Sequence, residues 1–325
     1  MIALQFASFG QPTDVVAPKD IDKPEPGKGE IRLKLVLSPI HNHDLATIRG
    51  TYGIKPPLPA VGGSEMVGVV DAIGEGVTGI SPGQRMTTML RGAWAQFAIA
   101  PAASAIPIPP NVPDEVAAQL IAMPLSAMIL FDELHAPAGS WVVQNAANGA
   151  VGRNFMRIAQ AAGVNVVNLV RRDSSVAEMK SFGAQHVVNT ENADWEKQIR
   201  DMAGSGDIVA VVDSVCDANS TQLNALLARG GQHVVFGALA AHALVLNPGN
   251  LIFKESTVRG FWMTSWVEHA TNEQRVGAIM KLVGLAMNGT LALPVGSVHP
   301  LADSTAALKA AETPGRPGKV LFKGD

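Results

Sequence analysis

The sequence predicts an α/β fold of two domains: a parallel sheet covered on both faces and, before it, a mostly β domain. Three observations carry this expectation. Residues 141–172 read as strand, tight turn, helix and strand, the about 30 residues that one βαβ crossover needs. From Asp114 onward helical and strand-like patterns alternate, which implies parallel strands with helices on both sides. Before residue 118, by contrast, short apolar runs at 31–37, 66–73 and 94–100 are punctuated by glycine and proline, as short strands and turns are. At 325 residues the chain is long for one core and comfortable for two.

Taken in order, residues 1–6 start as an edge strand, without a basic segment, signal core or cleavage site. Pro107, Pro109, Pro110 and Pro113 mark the crossing into the second domain, so the expected spans are 1–120 and 121–265. Trp141, Val142 and Val143 are apolar in succession, as a strand buried on both faces should be. Gln144 to Asn148 then brings turn formers, and Val151, Phe155, Ile158 and Ala162 keep helical spacing until Gly163 stops the helix. Residues 164–170 are the next strand. Asp173 and Ser174-Ser175, with Glu178 three residues after Ser175, read as a helix cap and capping box. Strands follow at 208–212, 233–236 and 258–261, with a helix at 220–228 between the first two. An amphipathic helix at 274–287, Pro294-Val295 and a closing strand at 319–322 complete the chain, and residues 266–325 are expected to return to the first domain.

The turn at 144–152 matters most. Against the pattern G-x-G-x-x-G it reads Ala147-Asn148-Gly149-Ala150-Val151-Gly152, with alanine in place of the first glycine. Gly149 lets the backbone approach a pyrophosphate, Gly152 lets the helix pack close to the sheet, and the helix start offers free N–H groups to phosphates. A tight βα turn without a ligand is the rival account. About 20 residues past such a fingerprint an acid usually accepts from the ribose hydroxyls of NAD. Here stand Arg171 and Arg172, whose guanidinium groups suit the 2′-phosphate of NADP and leave a solvated face as the alternative.

Composition excludes several classes. Charged residues are 16% and the formal net charge is −3, so no basic surface argues for nucleic acid. No apolar run approaches 18 uninterrupted residues, which speaks against a membrane span, and with no signal segment at the start the expected location is the cytoplasm. Cys216 is the only cysteine, which rules out an internal disulfide and a cysteine-built zinc site and reads as packing.

Three stretches carry a resemblance. They are Arg49-Gly50-Thr51-Tyr52-Gly53 with Leu58-Pro59-Ala60-Val61-Gly62-Gly63-Ser64-Glu65, the turn Gln144-Asn145-Ala146-Ala147-Asn148, and Leu251-Ile252-Phe253-Lys254 with Arg259-Gly260-Phe261-Trp262. With the late fingerprint and the returning tail, the whole chain resembles the medium-chain dehydrogenase/reductase superfamily. The stretches resemble its zinc-independent branch of 2-enoyl thioester reductases and quinone oxidoreductases. The resemblance implies a GroES-like β catalytic domain, a Rossmann NADP-binding domain, a cleft between them and a homodimer joined through edge strands near Val258. Zinc-dependent relatives carry a cysteine three residues before an Asp matching Asp44, and a histidine before a Glu matching Glu65. This chain has His41 and Ser64 there. His41 and His43 give at most two ligands where a catalytic zinc needs three, so no metal is expected.

The resemblance also implies site residues. A tyrosine in the stretch holding Tyr52, the only tyrosine of the chain, is taken in enoyl thioester reductases as the proton donor. Hydride added to the β-carbon of a conjugated thioester leaves an enolate that needs stabilisation at oxygen and a proton at the α-carbon. His41 is a candidate to face the nicotinamide or substrate and donate a hydrogen bond or proton; a satisfied loop histidine is the alternative. Phe261-Trp262 resembles the aromatic pair at the nicotinamide end, with core packing as its rival. Phe236-Gly237 ends a strand at the carboxyl edge, where such sheets bind ligands. Ser126 matches a hydroxyl position near the nicotinamide, and Lys319 reads as a surface lysine. The expected activity is NADPH-dependent reduction of activated C=C bonds in 2-enoyl thioesters. The alternatives are quinone or alkenal reduction at the same cofactor site, a zinc alcohol dehydrogenase using His41 and His43, and an NADPH-binding protein without turnover.

Overall fold

The computed structural model describes residues 1–240, 242–291 and 293–324. They form two compact units, Met1–Ala122 with Leu293–Asp325, and Met123–Ala292.

The second unit is built on six parallel strands: β1 (Trp141–Gln144), β2 (Asn165–Val170), β3 (His186–Asn189), β4 (Ile208–Asp213), β5 (Gln232–Val235) and β6 (Thr257–Gly260). Their spatial order is β3-β2-β1-β4-β5-β6, the doubly wound order in which chain direction reverses beside β1. Helix α1 (Ala150–Ala161) links β1 to β2 and has Gly149 as its N-cap. Apolar side chains of the strands, Val143, Val167, Leu169, Val188 and Val211, pack with Trp195, Ile199 and Leu223 from the helices into one core. The sheet also buries polar residues. Gln144 donates to Gly152 O and to Asn168 Oδ1, while Asn168 donates to the carbonyls of Val166 and His186, so every amide in the chain of bonds is used.

Two details of this unit differ from expectation. The helix after β2, Asp173–Ser181, has Arg172 as N-cap without a side-chain cap. The expected capping box does not form, because Ser175 is buried inside the helix and Glu178 pairs with Arg153. The segment 266–292 stays in this unit instead of returning. Helix Asn272–Met287 buries Leu282 and Ala278, Lys281 pairs with Asp132 at 3.0 Å, and Arg157 donates to Gly289 O, so the return begins at Leu293.

The first unit is mostly β. Its central strand, Glu30–Pro39, pairs antiparallel with Glu65–Ile73, Phe97–Pro101 and Lys319–Lys323. Arg85–Met89, which no alternation marks in the sequence, extends the sheet beyond Glu65–Ile73, and Val295–Pro300 lies parallel to Lys319–Lys323. Ile2–Phe6 is not an edge: it lies between Ala17–Asp20 and Ala60–Val61 in a second sheet, consistent with three of its five residues being buried. Leu4, Phe6, Ile31, Leu33, Met66 and Phe322 form the core around Trp94. Trp94 itself precedes its predicted strand's true start and donates to Pro39 O.

Register explains where this unit gathers its polar residues. Leu321 faces Pro39 and Leu37 faces Val67, so the starts of the Glu65 and Lys319 strands meet the end of the central strand at one sheet end. The Ile40 amide bonds to Val320 O just before His41 begins the next helix, Asn42–Arg49.

Candidate active site

Seven polar residues converge at that sheet end. His41 Nε2 lies 2.8 Å from Glu65 Oε2, and both side chains are fully buried. Glu65 Oε1 accepts from the amides of Ile121 and Ala122 at 2.6 and 3.2 Å. Asp44 Oδ2 accepts from the His41 amide, and Lys319 Nζ approaches Ile40 O at 3.4 Å. In front of these, His43 stacks on His41 with ring centroids 5.0 Å apart, and Tyr52 lies 5.8 Å from His43. His43 Nε2 is 2.6 Å from Ser64 Oγ and 3.6 Å from Asp44 Oδ1.

Local sequence holds these groups in place. His41 is the N-cap and His43 lies in the first turn of the same helix, and their rings stack there. That helix ends at Gly50, whose φ of 74° is left-handed, and turns the chain so that Tyr52 N bonds back to Ala46 O. Ser64 and Glu65 are delivered by Gly62-Gly63, which lie flat on the Trp94 ring. A Cβ at either glycine would sit 2.3 or 2.4 Å from ring carbons, closer than any side chain tolerates.

Burial sets the charge states. It raises the Glu65 carboxyl to about 8, against the two backbone amides and Lys319, which favour its ionised form. It lowers Lys319 to about 8, helped by Arg316 and opposed by Asp44 and Glu65. His41 falls well below its ordinary value through burial and the nearby Lys319, and His43 falls through burial with Asp44 opposing. Both histidines are therefore neutral imidazoles at neutral pH. Two expectations change here. His41, fully buried behind His43, has no face open to a ligand; the partly open groups are Tyr52, His43 and Ser64. Lys319 is a buried residue, not a surface lysine.

The second unit carries a separate set. The turn Asn148-Gly149-Ala150-Val151-Gly152 leads directly into α1, whose first-turn N–H groups have no intrahelical acceptor. A Cβ on Gly152 would lie 2.6 Å from Ala147 O, so that position admits only glycine without movement. Arg171 and Arg172 are exposed and have no side-chain partner among the described residues. Arg153, unmarked in the sequence, is buried next to this turn, pairs with Glu178 and lies over the Phe182 ring at 4.3 Å. Asn148 reaches toward Ser175 Oγ at 3.4 Å, so turn and following helix are tied together.

At the carboxyl edge, Asp213 collects hydrogen bonds from Asn145, Ser220, His233 and the amides of Val215 and Cys216. Burial alone would raise its carboxyl; those donors outweigh it and hold it below the usual range. Phe236 and Gly237 donate their amides to Asp213 O, and the Phe236 ring lies 5.8 Å from Phe261. Phe261 is buried, whereas Trp262 is 42% exposed and, with Trp266, His269, Gln274 and Glu133, lines an open pocket of about 370 Å³. Ser126 is buried on helix Ala122–Leu134.

Residues 27–110 match the alcohol dehydrogenase GroES-like domain and residues 150–281 match the zinc-binding dehydrogenase domain. Human mitochondrial enoyl-[acyl-carrier-protein] reductase is 33% identical over 322 residues, covering 96% of this chain and 86% of that protein. The chain belongs to the medium-chain dehydrogenase/reductase superfamily. A mycobacterial quinone oxidoreductase superposes with a TM-score of 0.86 at 28% identity, covering 99% of each chain. A mycobacterial structure complexed with NADPH superposes with a TM-score of 0.88 at 28% identity, covering 99% of this chain and all of that one.

Within this superfamily the chain follows the zinc-independent pattern. Among the described residues no three His, Cys, Asp or Glu side chains are grouped to hold a metal. His41 Nε2 bonds to Glu65 and His43 Nε2 to Ser64, and His41 Nδ1, unpaired among the described residues, is fully buried. A zinc ion does not fit this set.

Proposed function

We propose that the protein is an NADPH-dependent reductase of activated C=C bonds, with 2-enoyl thioesters as its substrates. One observation carries the reading most: a partly open tyrosine stands beside a histidine–serine pair at the position where zinc-dependent relatives bind metal. Protic donors suit a reaction whose intermediate is an enolate, because the α-carbon needs a proton and the oxygen a hydrogen bond. The likeness to an enoyl reductase over nearly the whole chain supports the same substrate class.

NADPH, when bound, supplies the hydride. Asn148, Gly149, Ala150, Val151 and Gly152 would hold its pyrophosphate at the start of α1, as the glycine-only packing at Gly152 supports. Arg171 and Arg172 would take the 2′-phosphate through paired, charge-assisted hydrogen bonds. Ser126, Phe236-Gly237 and Phe261-Trp262 would bound the nicotinamide end, with Trp262 walling the acyl group and excluding water. Tyr52 gives its phenolic proton to the α-carbon. His41, buried on Glu65, acts by holding His43 in place and not by touching substrate.

Quinone reduction is the second reading, favoured by the 28% identical quinone oxidoreductase. NADPH oxidation by purified protein, with NADH as control, against a short enoyl-CoA and a quinone side by side separates the two. Thioester turnover with NADPH that falls in Tyr52→Phe supports the reductase; turnover of quinone alone, unchanged in that variant, refutes it.

We also propose a homodimer. Edge strand β6 has one unpaired side among the described residues, and the helix before it, Pro248–Lys254, leaves Phe253 82% exposed. Phe253→Glu is expected to convert a dimer into a monomer in light scattering. No helix among the described residues is long and apolar enough to cross a membrane.

A further inference from the structure

An enolate has two places that need a protic partner, and one phenol offers a single O–H. Tyr52 cannot protonate the α-carbon and hold the oxyanion at the same time. Ser64 is the other hydroxyl on the open side of the polar cluster, and its neighbours decide where its hydrogen points.

His43 Nε2 lies between Ser64 Oγ at 2.6 Å and Asp44 Oδ1 at 3.6 Å. An acidic oxygen that close to Nε2 favours the imidazole tautomer with its hydrogen on that nitrogen. The N–H then donates to Ser64 Oγ, which is filled as an acceptor and keeps its own hydrogen. Among the described residues Ser64 Oγ has no other hydrogen-bond partner, so that hydrogen is directed away from His43. Ser64 is partly exposed, whereas His41 and Glu65 are fully buried, so of these groups Ser64 is the one a substrate oxygen can reach. The backbone of Ser64 is fixed as well: Gly62-Gly63 lie against Trp94, and Ser64 O accepts from Leu90 N at 3.1 Å. A donor held this firmly before substrate arrives needs no reorganisation during the reaction.

We propose that Ser64 is a second catalytic residue of the site, its O–H donated to the enolate oxygen, with His43 as the positioning residue that orients it. The inference rests on the reductase reading above. Once hydride has reached the β-carbon, the C=C π pair forms the enolate bond between the α-carbon and the carbonyl carbon, and the C=O π pair moves to the oxygen, which accepts a hydrogen bond from Ser64 without proton transfer. The Tyr52 O–H bond breaks as the α-carbon C–H bond forms, and water returns a proton to the phenolate.

The test is steady-state kinetics of the full chain with NADPH and a short enoyl-CoA, comparing wild type, Ser64→Ala, Ser64→Thr and His43→Phe. Loss of one such donor costs about a hundredfold in kcat. Ser64→Ala is expected to show that loss with KM and NADPH affinity unchanged, Ser64→Thr to recover most of it, and His43→Phe to be slowed in kcat alone. Wild-type kcat in Ser64→Ala, or Ser64→Thr as slow as Ser64→Ala, overturns the proposal. Should Ser64→Ala not accumulate as folded protein, the other two variants decide: a fast threonine with a slow phenylalanine supports it, and two wild-type rates refute it. A wild-type protein that oxidises NADPH with quinone but not with enoyl-CoA overturns the reductase reading itself, and is recognised before any variant is compared.

Discussion

Glu65→Gln should flatten the pH dependence of stability between about pH 6.5 and 8. The folded carboxyl sits at about 8 against an ordinary 4.5, so across this range the native state keeps a proton that the unfolded chain has released. Stability then falls as pH rises, by about 1.4 kcal/mol per pH unit at most. For a group raised on folding, the contribution is complete below the unfolded value and lost on rising through the folded one. The window isolates Glu65 from its neighbours. His41 and His43, lowered on folding, change stability only below their unfolded value of 6.5, where they act in the opposite direction. Lys319, lowered to about 8 from 10.5, is charged in both states below pH 8 and raises stability with pH only above it. Wild type should therefore lose on the order of 2 kcal/mol from pH 6.5 to 8. Glutamine is close in shape to the protonated acid and keeps an acceptor for the amides of Ile121 and Ala122, so its cost at pH 6.5 should stay below about 1 kcal/mol. Urea unfolding followed by the fluorescence of the five tryptophans reads both quantities. An equal slope in wild type and Glu65→Gln would show that the carboxyl is not held protonated and would end this account of the buried pair.

Three further outcomes follow from the same geometry. Tyr52→Phe should lower kcat with an enoyl-CoA by a factor of about 100 to 10,000 and leave NADPH affinity, measured by fluorescence titration, unchanged. Arg171→Ala and Arg172→Ala should each weaken NADPH by about tenfold or more, at about 1.5–3 kcal/mol per charge-assisted bond, and leave NADH untouched; equal losses for both nucleotides would remove them from the 2′-phosphate. Gly152→Ala places a methyl group 2.6 Å from Ala147 O and should cost about 1–3 kcal/mol in unfolding free energy, with weaker NADPH binding as the turn shifts. Unaltered stability and binding in that variant would contradict the close packing.

The nucleotide unit was the more legible half, and the reason is locality. Strands buried on both faces must be apolar in succession, so β1 and β2 declare themselves within a few residues, and the turn between β1 and α1 needs glycine where a Cβ would strike the backbone. The interior polar residues escaped for the opposite reason. Asn168 and Asp213 look like solvent-seeking residues in a linear reading, and their partners Gln144 and His233 come from neighbouring strands and Asn145 from the turn after β1. Arg153 is silent in the sequence because its partner Glu178 lies on the next helix, where it invites a capping-box reading instead. The extent of the returning segment was misplaced by 27 residues, from 266 to Leu293, since a helix that packs back onto its own unit has the same amphipathic pattern as one that leaves it.

The first unit shows why residue type can be read before geometry. Tyr52, His41, His43, Ser64 and Glu65 all lie in two short stretches that any reading of the chain would mark. Their roles depend on a residue 279 positions from Ile40: Lys319 is drawn to this end of the sheet only because its strand pairs beside Glu30–Pro39. Once there it adds a buried positive charge that helps keep His41 and His43 neutral, and it moderates the rise of Glu65. In the proposed arrangement a neutral His43 beside Asp44 gives its one imidazole N–H to Ser64 and leaves the hydroxyl hydrogen to the substrate. A cationic His43 would also donate to Ser64, but it would add a charge able to protonate an enolate directly and make Tyr52 redundant. Because Lys319 adds to the burial that keeps both histidines neutral, Lys319→Met should shift the pH profile of kcat while Tyr52→Phe lowers it at every pH.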